Sequence, residues 1–215
     1  MPKIVDHEQR RRELAAAVWQ VIAEHGVDEV SIRTVAAAAG WSTGALRHYL
    51  ATRGELLAFA CEQVIDEVTA RVQSLQLPAD PVRAVRAILL ETMPVDERRH
   101  TEASIAFSFL ALGLGDPELA RVQRRHFSSM HDLCRQMIDG LAARQALAPT
   151  PENVTTLARR LHAVVDGLSV HVLAGHLTAD EMVAELDAYL SGLTGQGASQ
   201  VGATEPEIGR TPRLP

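Results

Sequence analysis

Acidic side chains are missing from Ser31 to Arg53, although the chain as a whole carries a formal net charge of −6 over 215 residues. Aromatics are scarce, at 4%. Past residue 54 they are Phe59, Phe107, Phe109, Phe127 and Tyr189, too few and too scattered to cage a quaternary ammonium ion. The two cysteines, Cys61 and Cys134, have no metal-ligand spacing, so free thiols are the plain reading and a redox sensor the alternative. No apolar run approaches the ~20 residues that span a bilayer. The opening MPKIVDHEQRRREL lacks the apolar core of a signal peptide, and a cytoplasmic protein is expected. A Gly-rich phosphate loop and a nucleophile elbow are both absent. So are alternating β-branched runs, which leaves an all-α fold.

The charge is unevenly spread. Residues 1–54 hold seven Lys or Arg against six Asp or Glu, and residues 55–215 hold fourteen against twenty-one. Between 30 and 54 the only formal charges are Arg33, Arg47 and Arg53. Salt screens beyond about 10 Å, so an acidic distal region can coexist with a basic local face.

Helix signals recur through the chain. A first helix is expected over 7–25, capped by Asp6, with Leu14, Val18, Val21 and Ile22 on one face. Ser31 caps a second, and Gly40 sits where a helix end needs positive φ. Ser42 caps a third helix, from Thr43 to about Tyr49. The small residues Ala36, Ala37, Gly44 and Ala45 are expected to let these two helices cross closely. A fourth helix begins near Gly54-Glu55 and runs to about Ser74. Asp80-Pro81 opens a fifth, to about Met93 before Pro94, and a sixth follows Asp96 and ends at Gly113–Gly115. Asp116-Pro117 opens a long seventh. Thr150-Pro151 opens an eighth, to about Gly175. Thr178-x-x-Glu181 forms a capping box for a ninth, ending near Gly192. About nine helices result, with the boundaries 1–53, 54–193 and a Gly/Pro/Ser/Thr-rich tail over 194–215 expected to be disordered.

Two short helices joined by a tight turn make a helix-turn-helix, whose second helix enters the major groove of DNA. Over residues 7–57 the ordered set Gly40, Ser42-Thr43-Gly44, Arg47-His48-Tyr49-Leu50 and Arg53 resembles the amino-terminal domain of TetR-family transcriptional regulators. Trp41, Arg47 and Leu50 depart from that family's usual residues. Leu161-His162-Ala163-Val164-Val165-Asp166-Gly167-Leu168 resembles the penultimate helix of the branch that includes regulators of betaine synthesis.

The resemblance implies a three-helix DNA-binding domain followed by a larger helical domain for ligand binding and dimerisation. It also implies a repressor released from a palindromic operator by a small molecule. Candidate DNA contacts are Arg33, Ser42, Thr43, Gly44, Ala45, Arg47, His48, Tyr49 and Arg53. Thr43 can bond a base or touch a thymine methyl, Ala45 offers apolar contact, and Arg47 reaches a guanine or a phosphate. Tyr49 and Arg53 match family positions that grip the backbone. The plainer readings are solvated surface charges for Arg33 and Arg53, and a core residue with a wet hydroxyl for Tyr49. Trp41 reads as packing between helices.

In the larger domain Phe107, Leu110, His126, Met130 and Met137 are candidates for a pocket, whose ligand is expected to be mainly apolar. The fourth helix, which joins both domains, is the expected lever between pocket and DNA. Leu161, Val164, Val165, Leu168 and Val172 form an apolar face suited to a two-fold four-helix bundle. No cofactor or metal is expected. Glu97-x-x-His100 is half of a di-iron motif without its other half. His162 and Asp166, one helical turn apart, suit a hydrogen bond better than a metal. An all-α enzyme, or a helical adaptor with an incidental helix-turn-helix, is the alternative reading.

Overall fold

The computed structural model describes residues 7–113 and 117–195. The expectations placed on Asp6, on Gly115 and Asp116, and on the tail over 196–215 lie outside the described residues. The described residues form nine α-helices and no strand: α1 His7–His25, α2 Ile32–Ala38, α3 Thr43–Arg47, α4 Arg53–Ser74, α5 Pro81–Leu90, α6 Glu97–Gly113, α7 Pro117–Ala143, α8 Val154–Leu173 and α9 Ala179–Thr194. A single 3-10 turn, Val27–Glu29, links α1 to α2.

Side-chain caps set most of the starts. Ser31 accepts from the N–H of Thr34, whose hydroxyl in turn accepts from the Ser31 N–H. Ser42 accepts from Ala45, Asp80 from Arg83, and Thr178 from Glu181. Several boundaries differ from expectation: α3 ends at Arg47 rather than near Tyr49, and α5 at Leu90 rather than near Met93. Thr52 caps α4, accepting from Glu55, so the helix begins one residue early at Arg53. Thr150 spends its hydroxyl on the N–H of Glu152 in a local turn, which leaves Asn153 to cap α8 by accepting from Thr156. Gly192 stays inside α9, and the left-handed residue that ends that helix is Gly195, at φ 73°.

Two hydrophobic cores result. The first joins α1 (Leu14, Val18, Val21, Ile22), α2 (Val35, Ala36), Leu46 of α3 and the amino-terminal half of α4 (Leu56, Leu57, Ala60, Cys61, Val64). Ile105 and Phe109 of α6 are buried in this same core. The second joins α5, α7, α8 and α9 through residues such as Leu89, Ile138, Leu141, Leu161, Met182 and Leu186.

Between the cores an ion-pair network ties α4, α5 and α6. Arg71 makes a bidentate pair with Glu102, at 2.8 and 2.6 Å, and its Nε donates to Glu91 at 3.0 Å. Arg98 bridges Glu102 and Glu67, and Arg99 bridges Glu91 and Asp96. Glu102 is only 3% exposed. Burial alone would raise the Glu91 carboxyl, but hydrogen bonds from Arg99 and Arg71 outweigh it and hold Glu91 below the usual carboxylate range. Its contribution is therefore present above the ordinary carboxylate pKa and is lost as pH falls through the depressed folded value. Removing one member strands a buried charge. Arg71→Ala is expected to destabilise the fold by about 3 kcal/mol, read by urea denaturation at fixed protein concentration and neutral pH. The deficit should shrink in acid as Glu91 protonates.

Candidate nucleic-acid interface and ligand cavity

The turn between α2 and α3 is held by backbone geometry and one buried anchor. Gly40 takes φ 66°, a left-handed conformation that side chains disfavour. The Trp41 N–H donates to Ala36 across the turn. Leu46 is fully buried and pins α3 against the core. The rest of the short helix is thereby turned outward: Ser42, Thr43, Gly44, Ala45, Arg47, His48 and Tyr49 are all exposed, as is Arg33 on α2. The expected close crossing relies on Ala36, which is buried, whereas Ala37, Gly44 and Ala45 face solvent. A Cβ built on Gly44 would meet nothing nearer than the Ser42 hydroxyl, at 4.0 Å. Helix packing therefore does not require a glycine there.

Tyr49 is not a core residue. It is 43% exposed, its ring lies 5.5 Å from Trp41, and its hydroxyl accepts from Arg10 Nη1 at 2.9 Å. The Arg10 guanidinium also lies 6.0 Å from the Trp41 ring, so α1 brings a cation to the edge of the turn. Trp41 is half-buried and packs on the first core, in keeping with a packing role. Arg53 points the other way. Its Nε and Nη2 donate to the carbonyls of Val30 and Val27 at 3.2 and 3.0 Å, and Asp28 lies 3.5 Å away. Its guanidinium ties the start of α4 to the turn before α2. The run Arg10-Arg11-Arg12 offers a cue to a cation on α1, but nothing in the sequence pairs Arg10 with a residue 39 positions on.

A cavity of about 350 Å³ lies between α4, α6, α7 and α8. Phe107, Leu110, His126 and Met130 line it as expected. Met137 does not: it is 5% exposed and packs in the second core, on the stretch of α7 below the cavity. The wall also includes Phe127, His162 and Asp166. The His162 and Asp166 side chains approach to 3.3 Å, and the Phe127 ring lies 5.6 Å from His162 and 6.1 Å from His126. Burial lowers the His126 imidazole, and His162 lowers it further. Burial also lowers His162, opposed by Asp166 and reinforced by His131, while burial raises Asp166 against the pull of His162. Among the described residues no three His, Cys, Asp or Glu side chains are grouped to hold a metal ion. Both cysteines are buried, and burial pushes each thiol up to about 12, so neither is a ready thiolate.

The apolar face of α8 divides. Leu161 and Val165, at 0% and 2% exposure, are buried inside the subunit. Val164, Leu168 and Val172 are half-buried. The outward face carries Ala163, Gly167, Val170 and Ala174.

Residues 14–58 match the model of bacterial regulatory proteins of the tetR family, and residues 81–195 match that of the BetI-type transcriptional repressor, C-terminal. The chain belongs to the TetR family. The HTH-type transcriptional regulator PksA of Bacillus subtilis (strain 168) is 38% identical over 80% of this chain and 83% of its own length. A transcriptional regulator from Rhodococcus sp. Rha1 superposes with a TM-score of 0.73 at 31% identity, covering 87% of this chain and 96% of that one. A regulator from Saccharomonospora viridis, solved in complex with choline, shares the fold at a TM-score of 0.72 and 19% identity, over 86% of this chain and 96% of its own. This TetR-family chain is a ligand-responsive, DNA-binding transcriptional regulator. Members of the family bind DNA operators and small ligands as dimers. No described helix is long and apolar enough to cross a membrane.

The open space at Gly44 generates a test. Gly44→Ala is expected to stabilise the fold by up to about 1 kcal/mol, the helix-propensity difference, in thermal denaturation. If the Gly44 backbone approaches a phosphate, the same variant loses DNA affinity despite being the more stable protein.

Proposed function

We propose that this chain is a homodimeric repressor in the cytoplasm, released from a palindromic operator when a mainly apolar small molecule fills the cavity. The observation that carries the reading is the outward, acid-free face of α2 and α3, anchored by Leu46. Thr43, Ala45, Arg47 and His48 read the major groove, with Arg47 directed to a guanine or a phosphate. Arg33, Tyr49 and the backbone at Ser42 and Gly44 hold the phosphates; these contacts fix register, while base contacts specify sequence. Arg53 acts through the fold, because its donors are already spent on Val27 and Val30. The boundary near residue 53 divides a DNA-binding from a ligand-binding and dimerisation region. The dimer forms through α8 and α9, on the small outward residues of α8 and the half-buried Val164, Leu168 and Val172.

The choline-bound relative raises a quaternary ammonium ligand as an alternative. The phenyl rings on the cavity wall are Phe107 and Phe127. Phe59 and Phe109 are buried in the first core, and Tyr189 packs against the second. Two rings do not surround a cation, which favours an apolar ligand.

Selection of bound sequences from random duplex DNA, at about 0.15 M salt, is expected to return a palindrome with half-sites one helical turn or a multiple apart. On that palindrome, Arg33→Ala and Arg47→Ala should each weaken binding and lower the salt slope by about one per lost phosphate contact. Arg53→Ala should instead lower the melting temperature. A folded dimer that selects no sequence, with partner binding that survives the arginine changes, would mean an adaptor.

A further inference from the structure

We infer that Arg10 of α1, outside the helix-turn-helix, is a further DNA contact, and that its guanidinium and the Tyr49 hydroxyl form a two-donor clamp on one backbone phosphate. The inference rests on the reading above that sets Tyr49 against the phosphates, and it names the residue that completes that grip.

The three arginines of α1 have different surroundings. Arg11 lies against α4, with its guanidinium 5.0 Å from the Phe59 ring and 3.9 Å from the Glu62 carboxylate. Arg12 lines a groove with Trp19, Glu67 and Glu97, among α1, α4 and α6. Arg10 reaches the turn, where its Nη1 donates to the Tyr49 hydroxyl at 2.9 Å. Tyr49 follows the exposed His48, whose ring meets it edge-on at 6.5 Å. Arg10 is itself exposed, so its guanidinium extends the outward surface that α3 begins.

A phenol is a neutral acceptor, and its bond leaves the Arg10 charge unbalanced. Among the described residues no carboxylate pairs with Arg10, and the segment it reaches, Ser31 to Arg53, holds no Asp or Glu. A guanidinium carries five N–H donors, and Tyr49 takes one. The remaining fork matches two oxygens of a phosphate. The hydroxyl that accepts from Arg10 keeps its own proton to donate. Two donor groups 2.9 Å apart therefore face solvent together, a spacing that suits a single phosphate. The Trp41 ring flanks both, 6.0 Å from the guanidinium and 5.5 Å from the Tyr49 ring. Side chains held in place before DNA arrives lose less freedom on binding. Phosphate contacts carry no sequence information, so Arg10 adds affinity and leaves base preference to α3.

The test is fluorescence anisotropy of the intact protein on labelled duplexes, the selected palindrome and an unrelated sequence, over roughly 0.1–0.3 M salt. Arg10→Gln removes the charge and keeps an amide donor. The expected result is a salt slope lower by about one per lost contact, or about two for a dimer. At about 0.15 M salt both duplexes should bind about fivefold more weakly per lost contact. The selected sequence and the melting temperature should match the parent's. Arg10→Lys, which keeps the charge, should recover most of the slope. A parent-like slope for Arg10→Gln would overturn the inference. So would a loss confined to the palindrome, which marks a base contact or a displaced recognition helix. Equal losses for Gln and Lys with a lowered melting temperature would overturn it too, because they mark a bond that only supports the fold. Arg33→Ala, measured in parallel, separates the two readings. If it lowers the slope and Arg10→Gln does not, the regulator reading stands and the inference fails. If neither changes binding, or no duplex is bound, the DNA face itself is misplaced and the inference falls with it.

Discussion

Helix α6 is shared by the amino-terminal core and the wall of the cavity, and the proposed coupling of DNA face to ligand depends on that sharing. Ile105 and Phe109, one turn apart, are buried among α1, α2 and α4. Ala103, Phe107 and Leu110 look from the opposite side of the helix into the cavity. A close-packed helix cannot yield on one face without moving the other, because interiors transmit displacement rather than absorb it. The sequence pointed to α4 as the lever, and α4 does enter both regions, with Leu57 and Cys61 in the core and Val68 and Val72 on the cavity. The structure adds α6 as a second connection, clamped to α4 by Arg71, Arg98, Glu67 and Glu102. A two-helix connection resists independent motion better than one, so displacement at the cavity is expected to reach α1 and, through the shared core, the recognition helix.

The polar chemistry is arranged to keep that connection stiff. The network around Glu102 satisfies nearly every charge it buries, and the orphaned Arg99 Nε stands out against it. The proposed DNA face is built on the opposite principle. Its residues are exposed, its helix is short, and its shape depends on Leu46, Gly40 and two serine caps. Such a surface is cheap to hold and free to meet phosphates.

Much of this was legible in the sequence, because the features that encode it are local. Ser31, Ser42, Asp80 and Thr178 announce their helices by bonds three residues away, and the apolar spacing of Leu14, Val18, Val21 and Ile22 gives one buried face. Competition between neighbours was not legible: Thr150 and Asn153 are both good caps, and only the local turn at Glu152 decides between them. Partition of a buried face was also hidden. Met130 and Met137 lie on one stripe of α7, yet one lines a cavity and the other fills a core, which depends on the helices packed opposite. Leu161 and Val165 read as a free apolar face for the same reason. Arg10 and Arg53 were beyond reach because their partners come from other elements.

The coupling through α6 is tested most directly by filling the cavity from within. Ala106→Trp puts an indole into the space from the helix shared by both regions, and touches none of the residues on the DNA face. The account predicts a folded dimer whose affinity for the selected palindrome falls about tenfold, within the usual range of allosteric coupling, with non-specific DNA binding unchanged. A folded dimeric variant that binds the palindrome as tightly as the parent protein would contradict it.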